Sequence, residues 1–585
     1  MKNLRAYLWI GLALILFVNF QAWTLEFGPR DAAAAAAVQQ AAAAENAAHP
    51  LGSEVPQVPT AVPSATATAA PIAPAGAVPA TATANTAPTT PTDLPAASTL
   101  TVRTDVLDVD INLRGGELTR ADLLQYRVVK GGTEPVRLLR KQGAGNQFLL
   151  QTGLAGATSN PVADEYPTHL ALFSSDYTGF RLEDGVDEVR VPLKWTSPSG
   201  VMVTKTLVFH RGSYRIDVEY AVTNDSAAPW SVAAYAQIQH DMPVPVRSFT
   251  NYFNFDSYSF TGPAYWDGTK YQKVKIDANK IADFNRAYPD GWKNGWIAAL
   301  QHHFVTALVA PTDEQHRYSI SNRGTEFNIR DIGPAVAVAP GATATLKQTL
   351  FIGPKLQEQL MAVHPQLGRA TDYGVLTLVA RPLFLLLEQV HKLFGNWGWA
   401  IIIVTLLLKL AMYPLSEISG RSAAKMKQMA PRMKQLQETY KDDRTKLGQA
   451  TMELYKKEKI NPAAGCLPQL IQIPIFMAFY WVLVESVEMR QAPFIGWLHD
   501  LSSRDPFFIL PVLMAGAMFM QYRLQPPSAD PVQAKVFMIM PLFLSLTFAF
   551  LPSGLVLYYV VNTLLSILQQ WNINRRIAVS SQSRD

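Results

Sequence analysis

The chain has a single cysteine in 585 residues, Cys466, which excludes an intramolecular disulfide framework and any cysteine-based zinc site within one chain. Cys466 lies in an apolar run, where a small buried hydrophobe is the ordinary reading and a reactive thiol the exceptional one. Charge is also scarce: 17% of residues are Asp, Glu, Lys or Arg while 49% are hydrophobic, a balance that points to membrane segments. Several motifs are missing. No GxxxxGK[ST] loop is present to cradle ATP phosphates, and there is neither HExxH nor GxSxG. His210, His240, His302 and His303 have no ligand-like spacing, and the apolar segments contain no carboxylate pair for a proton relay. These absences argue against an enzyme, a bound cofactor or metal, and a proton-coupled pump.

What is present is ordered along the chain. Lys2 and Arg5 precede an uncharged apolar stretch from Ala6 to about Leu25, so residues 1–30 read as a signal-anchor helix. A cleaved signal is the alternative, since the alanines from Ala32 offer small-residue cut sites; either way the following residues are exported. Residues 31–98 are almost entirely Ala, Pro, Thr, Ser and Val without apolar periodicity, which predicts a disordered linker with a mean reach of ~45 Å. Residues 99–372 change to period-2 alternation. Leu107, Val109, Ile111 and Leu113 share one face before a Gly115-Gly116 turn, and Tyr214, Ile216, Val218, Tyr220 and Val222 repeat the pattern. Val201, Val203, Leu207 and Phe209 do likewise, with Lys205 breaking the alternation. Many such runs between turn residues predict a large antiparallel β-sandwich closed by a short helix near Lys355–Val363.

The remainder is helical and apolar. Residues 373–395 carry Arg381-Pro382, Glu388, His391 and Lys392 among leucines, so they are expected to lie as an amphipathic helix on the exported membrane surface. Spans are expected at Trp397–Leu415, Cys466–Val484, Phe507–Tyr522, Val536–Leu551 and Gly554–Leu568, within a core of residues 396–572. The first segment makes six. Charge orients them: the Ser416–Ile460 loop holds eleven Lys/Arg against six Asp/Glu, a balance of +5. The Glu485–Asp505 loop holds four acids against Arg490 and Arg504. Basic loops stay inside, so both termini, including the short 573–585 tail, are expected in the cytoplasm and the β domain in the periplasm. Met426, Met429, Met433, Leu436 and Tyr440 form a seam that predicts a cytoplasmic helical hairpin over 417–460. It could be a solvated connector or a dock for a chain, a ribosome or lipid headgroups.

One charge stands inside the second span, Lys409, at an expected cost of about 2.5–3.5 kcal/mol if left in lipid. Snorkelling is one explanation, because the span ends six residues later, roughly 9 Å away. A polar interior is the other. Thr405 lies one turn earlier, Gln469 and Gln472 are three apart on the third span, and Tyr559, Asn562 and Ser566 recur at i, i+3, i+7 on the last. Such stripes converge on one another or on water, as a packing network or a hydrated cavity.

The runs GNWGWAIIIVTLLLKLAMYPL (395–415), NPAAGCLPQLIQIPIFMAFYWVL (461–483), RQAPFIGWLHDLSSRDPFFILP (490–511) and FLPSGLVLYYVVNTLL (550–565) resemble the YidC/Oxa/Alb insertase family. The likeness extends to TDVLDVDINLRGGEL and KTLVFHRGSYRIDVEY, and the single large exported domain is that of the Gram-negative form. The resemblance implies an inner-membrane insertase and chaperone whose clients are nascent membrane proteins, acting alone or beside the Sec translocon. Ribosome, signal-recognition machinery and membrane lipids are further implied partners, with no specific nucleic acid. It implies five core spans around a hydrated groove open to cytoplasm and lipid, in which Lys409 is the cation where many relatives carry Arg. Thr405, Gln472 and Tyr559 match groove positions. Gln469 and Asn562 belong to the same polar stripe, while Phe476, Met477, Phe543 and Leu546 would form an apolar slide for the substrate helix. For the exported domain it implies a β-supersandwich like that of sugar mutarotases. Two other functions compete: a small-solute transporter or channel with Lys409 as an anion site, and a membrane-tethered carbohydrate-binding protein.

Overall fold

Alternation along the strands is what builds the first half of the molecule. In the computed structural model, Leu107, Val109 and Ile111 are buried and alternate with partly exposed Asp108, Asp110 and Asn112. The structure describes residues 55–56, 99–142, 146–157, 165–242, 259–324, 326–440, 443–458, 462–524 and 531–582. The expected signal-anchor and nearly all of the linker lie outside these residues. The chain divides into two units, residues 1–370 and 371–585.

The first unit contains two sheets, of eleven and eight strands among the described residues. Strand Trp230–Asp241 sits inside the larger sheet, paired antiparallel with Asn146–Gly156 on one side and Glu326–Ile332 on the other. Glu188–Thr196, Val201–His210, Arg215–Asn224 and Thr343–Pro354 run side by side in the smaller one, again antiparallel. A parallel pair joins Thr101–Arg103 to Gly179–Arg181. Two α-helices follow among the described residues of the unit, α1 (Ala278–Ala287) and α2 (Gln357–Val363), the second close to where the sequence predicts it.

Lys205 corrects the sequence reading. It does not break its strand's alternation but belongs to the buried face, with no exposed surface. Its Nζ donates to the carbonyls of Gly115 (2.7 Å), Gly116 (3.2 Å) and Thr152 (3.0 Å), three acceptors for an ammonium's three donors. Burial pushes the amine down to about 7, while Glu117 acts the other way. The bonds tie a strand of the smaller sheet to the larger one. The Gly115-Gly116 turn has positive φ at both residues, and a Cβ on Gly116 would lie 2.9 Å from that Nζ.

The second unit is helical. It comprises α3 (Thr377–Phe394), α4 (Trp397–Ala411), α5 (Tyr413–Gln428), α6 (Ala430–Thr439), α7 (Arg444–Lys457), α8 (Pro462–Glu485), α9 (Ile509–Leu524), α10 (Pro531–Phe548) and α11 (Ser553–Gln582). Helix α3 ends at Gly395 in the left-handed conformation, and Asn396 then caps α4 by accepting from the Gly398 and Trp399 amides. Ala380, Leu383, Phe384, Leu387 and Val390 of α3 are buried in the helical core, whereas Leu378, Leu385 and Leu393 are exposed.

Element ends differ from the sequence reading at three places. The span expected to Leu415 stops at Ala411, and the chain bends by 63° into α5, whose second residue Pro414 cannot donate to a continuing helix. The methionine seam is interrupted at Met429, with Pro431 opening α6, so the first arm of the hairpin is two helices. The second arm, α7, is capped by Asp443, and Met433 of α6 accepts from Thr451 of α7 at 3.7 Å. The last helix does not stop near Leu568 but continues to Gln582, through the region expected as a tail. Among the described residues no single helix is long and apolar enough to cross a membrane; α4 with the first part of α5 passes as a bent pair.

Candidate functional site

Lys409 stands in the last turn of α4, where α11 crosses it. Its Nζ donates to Ser566 Oγ at 2.8 Å, and Ser566 donates in turn to the Asn562 carbonyl at 2.7 Å. The lysine is therefore held between helices. Beside it is a narrow cavity lined by Thr405, Leu408, Lys409, Met412, Gln472, Ile475, Tyr558 and Asn562. Three helices distant in sequence, α4, α8 and α11, supply this lining, and four of the polar residues singled out from the sequence meet there. Thr405 is almost fully buried, and its hydroxyl donates back to the Ile401 carbonyl at 2.6 Å, which satisfies it inside its own helix. Gln472 Nε2 donates to the Tyr558 hydroxyl. Among the described residues no carboxylate lines the cavity, so none of them serves the cation there as a buried counter-ion.

The remaining expected residues scatter. Tyr559 does not line the cavity; its ring packs against Phe476 (6.1 Å between centroids) and Phe548 (5.2 Å). The tyrosine at the cavity is Tyr558, one residue earlier. It stands i, i+4 from Asn562, a helical match as good as the i, i+3 of Tyr559, so the stripe alone could not choose between them. Gln469 lies on α8, and its side chain falls outside the described set. The four apolar slide candidates divide. Phe476 belongs to the aromatic cluster with Phe548, Tyr558 and Tyr559, and Met477 is half-buried beside it. Phe543 and Leu546 instead join Ile539 and Leu542 on a bare stripe of α10 at i, i+3, i+4, i+7 spacing, each more than half exposed. Of the hairpin residues, Met429 is buried and Met426, Met433, Leu436 and Tyr440 are half-buried.

At the opposite end of α4, the loop between α8 and α9 gathers the N-termini of three helices. Asn396, the α4 cap, donates through Nδ2 to the Phe494 carbonyl at 3.0 Å, and a Cβ on Gly398 would lie 2.0 Å from the Phe494 ring. Asp505 binds the start of α9, accepting from the Leu510 amide at 2.7 Å. At α11 the amides of Ser553 and Gly554 donate to the carbonyls of Ser503 and Leu501 at 2.7 and 2.9 Å. In sequence Asp505 counted only as a loop charge. Its position before Pro506 and an apolar run was the one available hint of a helix cap.

Comparison with known proteins shows the family of the chain. Residues 99–386 match the family model of the YidC periplasmic domain, and residues 389–581 match that of the 60Kd inner membrane protein. The membrane protein insertase YidC of Thioalkalivibrio sulfidiphilus is 44% identical over 99% of both chains. The chain belongs to the YidC insertase family. Its counterparts from Methylococcus capsulatus and Nitrosococcus oceani, of the same name, are 41% and 39% identical, each over 99% of both chains. YidC membership makes this an inner-membrane protein with an antiparallel, sheet-rich periplasmic domain and a helical C-terminal region. It also places the chain among insertases and not among enzymes, in keeping with the missing catalytic motifs.

Proposed function

We propose that this YidC-family chain moves transmembrane segments of newly made proteins into the inner membrane along the Lys409 cavity. The observation that carries the reading is the interhelical contact of Lys409 with Ser566 beside a polar cavity that contains no carboxylate. A substrate's polar, often acidic, tail would enter where the cation lowers its desolvation cost, while its apolar segment moves along the bare stripe of α10 into lipid. No bond is made or broken. Hydrophobic transfer of the segment drives the step, assisted by the membrane potential.

The charges support a cytoplasmic side for the cavity. Arg523 lies in the last turn of α9 and Arg575 with Arg576 in the C-terminal part of α11, past the cavity residues Tyr558 and Asn562, while Glu485, Asp500 and Asp505 lie toward the opposite end of the helical unit. In this arrangement six spans, counting the N-terminal segment, leave both termini in the cytoplasm. The α6–α7 hairpin with its Met433 and Leu436 seam then faces the ribosome, the signal-recognition machinery or lipid headgroups, and the chain works alone or beside the Sec translocon. Helix α4 has fifteen residues, about 22 Å of rise against a hydrocarbon core of about 30 Å, which favours local thinning of the bilayer and a shorter polar path. A solute-channel reading is not favoured, because the loop described above fastens three helix ends on the side away from the cavity.

Site-specific crosslinking tests the path. Photoreactive residues at Thr405, Tyr558 and Leu546 should capture nascent membrane-protein chains arrested in mid-insertion, and a probe at exposed Met202 of the β unit should not. Capture confined to Met202, with none from the three path positions, would remove the cavity from the route.

A further inference from the structure

The exported loop holds a carboxylate that the insertion path does not use. Asp505 is 1% exposed, yet it accepts three hydrogen bonds: Oδ1 from Trp497 Nε1 and the Phe507 amide, both at 3.1 Å, and Oδ2 from the Leu510 amide at 2.7 Å. A carboxylate so buried is tolerated only when its oxygens are satisfied, and here one donor comes from the loop and two from the entry to α9. The same loop sits on α4 through Phe494 and Asn396, and on α11 through Leu501 and Ser503. Each of those helix ends presents amides that its own helix cannot pair and a partial positive charge, so three like ends are drawn together under one loop that supplies acceptors. A second observation marks the site as constrained. Phe508, three residues on, has a φ of 57°, a left-handed conformation costly for a bulky residue, and its amide donates to the Asp505 carbonyl at 3.3 Å. The backbone turn is thus held by the residue whose side chain holds the helix.

We propose that Asp505 is the positioning residue that keeps the exported end of the helical unit shut, so that a polar groove can admit a polypeptide from the cytoplasm without passing ions across the membrane. The inference rests on the insertase reading for its orientation. It adds a requirement which that reading leaves open. A cavity with a lysine and several uncharged polar groups would conduct if water reached it from both sides, and the only polar atoms of Asp505 are spent on closing the other end. Without the carboxylate, Trp497 and two backbone amides lose their acceptor, and the loop is no longer pinned between α9 and its neighbours.

The test uses the full chain in sealed vesicles and follows ion leak with a pH-sensitive dye, alongside insertion of a membrane-protein substrate into the same vesicles. Wild-type vesicles should be tight. Asp505→Asn, which puts an amide NH2 where one oxygen accepts, should raise the leak at least about tenfold, the population shift expected from losing one charge-assisted hydrogen bond. Trp497→Phe removes a single donor and should leak less than Asp505→Asn; it also serves if the Asp505 variant fails to fold. Ile573→Ala, a core truncation at the far end of α11 where that side chain meets Gly420, controls for instability. Leak in the Asp505 and Trp497 variants with tight Ile573→Ala vesicles supports the proposal. Tight vesicles from folded Asp505→Asn and Trp497→Phe, or equal leak from Ile573→Ala at matched melting temperature, overturn it. Wild-type vesicles that are tight but insert nothing would instead overturn the insertase reading.

Discussion

Removing the charge of Lys409 should slow insertion selectively, in proportion to the negative charge on the part of the substrate that must cross. The structure sets the scale. The ammonium is partly buried, bonded to Ser566 at 2.8 Å, and no carboxylate lines its cavity, so a substrate Asp or Glu entering there would be its nearest counter-ion. At about 4 Å the attraction is ~1 kcal/mol in water and ~4 kcal/mol at the effective dielectric of a protein surface. A groove that is polar but half-enclosed falls between, at about 2 kcal/mol, or roughly thirtyfold in rate if the contact is made only in transit. Lys409→Gln should therefore slow insertion of a substrate with one acidic residue in its translocated tail by about ten- to thirtyfold, and its neutral-tailed counterpart by less than about threefold. Lys409→Arg should retain both rates, and Lys409→Glu should invert the preference. The assay is insertion into vesicles containing the purified chain, scored by protection of the tail from protease, with the two tails compared in every variant. Equal slowing of acidic and neutral tails would show that the residue matters for packing alone, and no slowing of either would remove its charge from the mechanism.

Two further predictions concern the periplasmic unit. Lys205→Met leaves three buried carbonyls without their donor, and although it also removes a buried charge, the unit should lose about 2–4 kcal/mol, read as a fall of roughly 5–12 °C in its melting transition; an unchanged transition would show that the three bonds contribute nothing net. Burial, with Arg140 adding to it, pushes the His240 imidazole down to about 3. Unfolded chains therefore bind a proton at that site below about pH 6.5 that the folded unit refuses, so stability present above pH 6.5 falls on acidification, by up to about 1.4 kcal/mol per pH unit. His316 acts with the opposite sign: although burial works against its charged form, Asp331 and Glu314 raise it, so its contribution is complete below about pH 6.5 and fades as the pH climbs through its higher folded value. Denaturant titrations from pH 4.5 to 8 of wild type and His240→Phe test this, the variant being expected to flatten the acid limb; an identical limb in both would refute it.

How far the molecule could be read from its sequence depended on the range over which each signal acts. The strand Leu107–Asn112 was legible because side-chain alternation is local and Leu107, Val109 and Ile111 bury as their spacing demands. Lys205 was not, because a charge on an apolar face looks like a break until its acceptors are known, and those lie 90, 89 and 53 residues away. Chain breaks at Pro414 and Pro431 were visible as prolines, yet the apolar and methionine periodicities ran straight through them and outweighed the steric signal. In the candidate site, the structure sets Thr405, Lys409, Gln472 and Asn562, which share polar stripes in the sequence, around one cavity, and the tyrosine beside them is Tyr558. One residue is 100° of helix, so Tyr558 and Tyr559 flank the same stripe, and the choice belongs to the contact between α8 and α11.

The same contacts bear on how a lysine can stand in this helix. Snorkelling would draw the amine along α4 toward water, but Ser566 takes it sideways, onto α11. Its position favours the charge. Lys409 lies in the last turn of a helix that stops at Ala411, so the unpaired carbonyls at that C-terminus stabilise the cation by ~0.3–1 kcal/mol. Met412, where the chain bends by 63° into α5, is itself part of the cavity lining. An ammonium has three donors, and among the described residues Ser566 uses one. Two are left for water at rest and for a substrate carboxylate in transit, without displacing the hydroxyl that holds the chain in place. Guanidinium would offer a fixed fork suited to one approach of a carboxylate; a lysine held at one hydrogen bond accepts many approaches, each weakly. For the proposed path, which would have to release every substrate it receives, weak and undirected attraction would be sufficient, and the short α4 with its serine partner would supply it.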